Sequence, residues 1–156
     1  MPTLAESPSL TARLEDAVAG LLLANPVIAA ITVKTGTEDG EIETPYIVVN
    51  SNRNGERIYN SGVNDCGVRI QLKTTMGNGP KATDDAGLLA LDAAVESVIW
   101  GGSPVALAAA ITSGADYLKC YAVTNLASEA TTFDATRREI AYTFNAVCIG
   151  LPEPTP

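Results

Sequence analysis

Between Cys66 and Lys73 the chain alternates in character: Cys66, Val68, Ile70 and Leu72 fall on one parity, and Arg69, Gln71 and Lys73 on the other. Successive strand residues point to opposite faces, so this stretch has one dry face and one wet face. That is the mark of an antiparallel strand in a half-exposed sheet. Such a strand needs paired neighbours and a cover for its apolar side.

The neighbours are legible. Ile31-Thr32-Val33-Lys34 begins the sheet, and Pro45 to Val49 is a strand whose Pro sits at its start, where the missing N–H does no harm. Ser51 to Asp65 is polar and turn-rich, with Asn54-Gly55 and Ser61-Gly62, and reads as a long hairpin connection. Tyr117 to Leu126 and Arg138 to Ile149 are two closing strands. In the second, Ile140, Tyr142, Phe144, Ala146 and Cys148 share a face.

The cover is helical. Ser7-Pro8 supplies a cap and a favourable first-turn proline, Leu10, Leu14, Val18, Leu21 and Leu22 make an apolar stripe, and Asn25-Pro26 ends the helix. A second long helix is capped by Thr83, has Asp84 and Asp85 in its first turn, and buries Leu88, Leu91, Val95 and Val98, with Asp92 and Glu96 on its wet face. Trp100-Gly101-Gly102 ends it. Ser103-Pro104 repeats the start signal, so Val105 to Ile111 reads as a short extra helix, with an apolar strand as the alternative. The expected architecture is α+β: a mainly antiparallel sheet with two long helices packed on one face, plus a short extra helix. Residues 1–7 are a leader, 8–150 a single domain, and 151–156 a Pro-rich loose tail.

Composition narrows the chemistry. There is no His, which removes the commonest general base and metal ligand and excludes Ser-His-Asp or Cys-His sites. Cys66, Cys120 and Cys148 are odd in number, widely spaced and without a CxxC pair, which argues against a disulfide framework or a zinc site. All three fall in expected strands, where a free Cys acts as a small buried hydrophobe, and this fits a reducing cytoplasm. The net charge of −8 opposes tight binding of nucleic acid, which is won by Lys and Arg contacts to phosphates. No apolar run approaches the length of a membrane span, and the N-terminus lacks the pattern of a signal peptide.

Two motifs invite chemistry. The loop from Glu38 to Glu43 is acidic, but it lacks the spacing that wraps a calcium ion. Gly77-Asn78-Gly79-Pro80-Lys81-Ala82 matches the G-x-G-x-x-A dinucleotide turn. The strand before it has a wet face, however, and Asp84 and Asp85 place negative charge where a phosphate would sit. No residue is therefore assigned to catalysis, to a cofactor or to a metal. Arg53, Arg57 and Tyr59 in the long connection, with Arg137 and Arg138 before the last strand, are the candidate protomer or partner interface. Arg and Tyr combine large contact area with directional bonds.

The order of a helix ending in Leu22 to Ala30, the Pro45-Tyr46-Ile47-Val48-Val49 strand, the Gly67 to Leu72 strand, the Ala86 to Ile99 helix and two closing strands with Tyr142-Thr143-Phe144 resembles the tail-terminator, or tail-completion, family of long-tailed bacteriophages. The resemblance covers about residues 8 to 149. It implies a structural virion protein that forms a homo-hexameric ring on the head-proximal end of the tail, made in the host cytoplasm during assembly. The ring would stop the major tail tube protein from polymerising, meet the head-completion or neck protein, and let DNA pass without specific binding. It implies no enzyme activity, cofactor or membrane. The Gly101 to Gly114 stretch is longer than that pattern expects. A head-completion, neck or other small tail protein is the alternative within the virion. Outside it stand a monomeric small-ligand module using the Gly77 turn or the Glu38 to Glu43 loop, and an enzyme working with paired carboxylates.

Overall fold

The computed structural model describes residues 9–36, 43–56, 62–77, 82–115, 117–132 and 136–151. Helix α1 spans Leu10–Leu23 and is capped by Ser9, whose Oγ accepts the Ala12 N–H at 3.1 Å. The cap is thus Ser9 rather than Ser7. Leu10, Leu14, Ala17, Val18 and Leu22 are buried, one stripe at helical spacing. Asn25 turns the chain by accepting the Val27 N–H on Oδ1 at 2.9 Å, and a 3₁₀ turn, Ile28–Ala30, leads into the sheet.

Strand β1, Thr32–Thr35, pairs in parallel with β2, Tyr46–Glu56. β2 pairs antiparallel with β3, Val63–Thr75, β3 with β5, Arg137–Gly150, and β5 with β4, Leu118–Thr132. The sheet order is β1-β2-β3-β5-β4, so it is mixed, with one parallel pairing and three antiparallel ones. The parallel β1–β2 pair needs no helical crossover, because β1 is only four residues, about 13 Å, long.

The strands run farther than the residue pattern indicates. Ser51 to Glu56 and Val63 to Asp65 continue β2 and β3 instead of forming a connection. β2 shifts register between Arg53 and Gly55, and Gly55 sits at φ 142°, a backbone state that side-chain-bearing residues avoid. β4 extends through Thr132, well past Leu126, after a second irregularity between Thr124 and Ala127. There Asn125 takes φ 58°, which Asn tolerates better than most residues. Backbone pairing with β3 and β5 carries these polar segments into the sheet, a gain that an alternation rule cannot see.

Helix α2 spans Asp85–Trp100 and is capped by Asp84, which accepts the Gly87 N–H at 2.7 Å. Thr83, expected as the cap, is instead bridged to Met76 and buried. α2 meets α3, Pro104–Gly114, at a 90° corner. Ser103 caps α3 by accepting from the Ala106 N–H at 3.1 Å. The extra element is therefore a helix, and at eleven residues a full three turns. Among the described residues no single helix is long and apolar enough to cross a membrane.

One core joins these elements. Leu14, Leu22, Val95, Ile99 and Ile111 from the helices meet Ile47, Ile70, Leu72, Tyr142 and Phe144 from alternate strand positions. Tyr142 is fully buried, stands edge-on to Trp100 with ring centroids 6.2 Å apart, and donates a hydrogen bond from its hydroxyl to Asp92. Asp92 thus turns toward the sheet rather than lying on a wet helix face. Burial, then the hydrogen bond and charge of Asp92, then the charge of Glu96 raise the Tyr142 hydroxyl well above the usual tyrosine range.

Candidate functional site

Strand registers place the five residues singled out above. Arg53 lies in β2, opposite Cys66 of β3, and is exposed. Arg137 and Arg138 open β5, opposite Thr75 and Thr74. Nine strand steps separate Cys66 from Thr75, about 30 Å, so the two arginine groups occupy opposite ends of the sheet and do not form one patch. Arg57 and Tyr59 lie outside the described residues. Arg138 Nη1 stands 3.4 Å from Asp85 Oδ1, an exposed pair that anchors the start of β5 to the start of α2 and contributes little stability.

At the Arg53 end, a groove of about 540 Å³ is lined by Leu10, Arg13, Arg53, Glu56, Asn64 and Leu151. Arg13 Nη1 donates to the Tyr117 carbonyl at 2.9 Å and to the Leu151 carbonyl at 3.1 Å. One guanidinium thereby ties α1 to the entry of β4 and the exit of β5. Residue type alone could not flag this, because both acceptors are backbone atoms more than a hundred positions away.

At the other end, a groove of about 580 Å³ is lined by Val27, Pro45, Thr83, Asp84, Gly87 and Leu91. It adjoins Gly77 and Ala82, the bounds of the dinucleotide-like motif, whose residues 78–81 lie outside the described residues. The Asp84 carboxylate already accepts the Gly87 N–H, the donor an incoming phosphate would need. β3, which precedes the turn, lies between two antiparallel neighbours. Both facts oppose a nucleotide site. Of the Glu38 to Glu43 loop, positions 38 to 42 lie outside the described residues.

A further surface is the sheet face opposite the core. Lys34, Arg69, Lys73, Lys119 and Arg137 fall on this parity, against Asp65, Glu129 and Glu139. Among the described strand residues, five basic and three acidic side chains make it positive by two, although the whole chain carries −8. Lys73 faces Glu139 across the β3–β5 ladder at 3.9 Å and reaches over the Tyr46 ring at 5.8 Å. The helical side is the opposite: α1 and α2 hold Glu15, Asp16, Asp85, Asp92 and Glu96 against Arg13, and α3 holds no charged residue.

β4 is an edge strand of fifteen residues. Near its start Thr112 of α3 covers the edge, its hydroxyl accepting the Cys120 N–H at 2.9 Å and approaching the Cys120 carbonyl at 3.3 Å. Farther on, Ala127 to Thr131 are exposed on both parities, and all but Glu129 are small. A long edge of this kind presents backbone donors and acceptors to another strand.

Comparison with known proteins adds one firm point. No protein-family model matches the chain, and no curated protein does. Among solved structures, a chain from the virion of a native gene transfer agent particle superposes with a TM-score of 0.62 at 20% identity, over 88% of this chain and 95% of that one. The two share a fold. The superposition spans nearly the whole of both chains, so it matches the complete α+β arrangement and not a local hairpin.

Proposed function

We propose that this chain is a structural virion protein, and within that class a tail terminator that closes into a ring on the head-proximal end of a tail. The observation that carries the reading is the fold shared, over almost its full length, with a gene transfer agent virion chain. The order of elements resembling phage tail terminators supports the narrower assignment, and the long β4 edge supplies a surface on which neighbouring protomers can pair. The role proposed is non-enzymatic. Its partners are further copies of itself, the tail tube protein and the neck protein.

Charge bears on the passage of DNA. The sheet face opposite the core is positive by two, so a channel wall that does not hold DNA is better formed by the helical side. There α1 and α2 together hold five acids against one Arg, and α3 holds no charged residue. Arg53, at one end of the sheet, and Arg137 with Arg138, at the other, then serve as separate contacts, one group toward each stacked neighbour.

The test is native mass by light scattering across a concentration series, with negative-stain images of any large species. A sixfold ring has a mass of about 97 kDa, six times the 16.2 kDa chain. Rings that stop elongation of a purified tail tube support the terminator. Rings that bind portal-bearing heads but not tube ends favour a neck protein instead. A strict monomer that neither blocks tube growth nor binds heads overturns the reading.

A further inference from the structure

Cys120 of β4 and Cys148 of β5 are direct cross-strand partners. The backbone of Cys120 is turned away from β5, its N–H donating to the Thr112 hydroxyl at 2.9 Å. The two cysteines therefore form a non-hydrogen-bonded pair, the kind in which Cα atoms approach to about 4.5 Å and side chains come closest. That spacing lies within the roughly 4.4–6.8 Å that a disulfide spans. Both side chains belong to the buried core, and the Cys120 thiol donates to the Ala122 carbonyl at 3.6 Å. The third thiol, Cys66, is also free and buried, but it faces Ala146 and is only a diagonal neighbour of Cys148. Diagonal Cα atoms stand about 7–8 Å apart, beyond easy bridging.

We propose that Cys120 and Cys148 are an oxidisable dithiol that a peroxide closes to an intramolecular disulfide, tying edge strand β4 to β5. Cys120 is the attacking sulfur. It is 6% exposed, against 0% for Cys148, and sits on the edge strand. The Cys148 thiol beside it lowers the Cys120 thiol from its ordinary value against the effect of burial, while Cys120 and burial raise Cys148. The Cys120 thiolate attacks one peroxide oxygen, the O–O bond breaks and hydroxide leaves, giving a sulfenic acid. The Cys148 sulfur then displaces that oxygen as water, with its own thiol proton taken up. In balance, two thiols and one hydrogen peroxide yield one disulfide and two waters; the sulfurs lose two electrons and the peroxide oxygens gain them.

The experiment treats the folded full chain with hydrogen peroxide, alkylates the remaining thiols in denaturant, and maps peptides without reduction. Expected are a 2 Da loss, one link joining Cys120 to Cys148, an alkylatable Cys66, and reversal by dithiothreitol. C66S keeps the link. C148S stops at a sulfenic acid on Cys120 that dimedone captures. Links to Cys66, bonds only between chains, or three alkylatable thiols at a peroxide dose that oxidises glutathione would each overturn the proposal. The wild-type map decides the matter even where a variant fails to fold.

Discussion

Tyr142→Phe isolates one contact between sheet and helices. The ring stays, with its edge-on packing against Trp100, and only the hydroxyl bonded to Asp92 is lost. A hydrogen bond to a charged group contributes about 1.5–3 kcal/mol, and the half-buried Asp92 recovers part of that from water once its partner is gone. The expected cost at pH 7 is about 1–2 kcal/mol, or roughly 2–8 °C in Tm for a domain of this size. The pH dependence is the sharper test. The folded-state pKa of Tyr142 is raised, so below about pH 10 both folded and unfolded chains hold the proton and the contribution is complete. Above pH 10 the unfolded chain releases its proton while the folded chain keeps it. Wild type then loses about 1.4 kcal/mol per pH unit from this group, and the Phe variant does not. The stability gap should close near pH 11 and then reverse. The assay is urea unfolding followed by circular dichroism at pH 7, 9, 10 and 11, with protomer concentration held constant because assembly would itself add stability. A gap that stays constant or widens with pH would refute the account of Tyr142, and no gap at pH 7 would refute the energetic role of the bond.

Other expectations use the same unfolding assay. Thr112→Val strips the hydroxyl that accepts the Cys120 N–H, and should cost about 1–3 kcal/mol while exposing the start of the β4 edge to faster hydrogen exchange. Asp84→Ala removes the α2 cap and should cost about 1 kcal/mol, whereas Thr83→Ser, which leaves the Asp84 cap intact, should cost less. Phe144→Ala opens a cavity in the centre of the core and should cost about 3–5 kcal/mol, enough to threaten folding outright.

Much of this protein was written locally. The alternation from Cys66 to Lys73 marked β3, the stripe from Leu10 to Leu22 marked α1, and Ser103-Pro104 marked the start of α3, because side-chain parity, helical spacing and caps depend only on residues close in sequence. Burial of the three cysteines followed from the same parity. What spacing could not supply came from partners far away in the chain. Ser51 to Glu56 and Ala127 to Thr132 became strand because β3 and β5 offered them backbone bonds, a gain unrelated to their polarity. Asp92 left solvent for a hydroxyl fifty residues away, and Arg13 found carbonyls over a hundred positions distant. The candidate interface divides the same way. Residue type nominated Arg53, Arg137 and Arg138, but the sheet register set them at opposite ends. The net charge of −8 was legible from counting; that basic side chains predominate on one sheet face was decided by strand pairing, which determines which strand side chains share a surface.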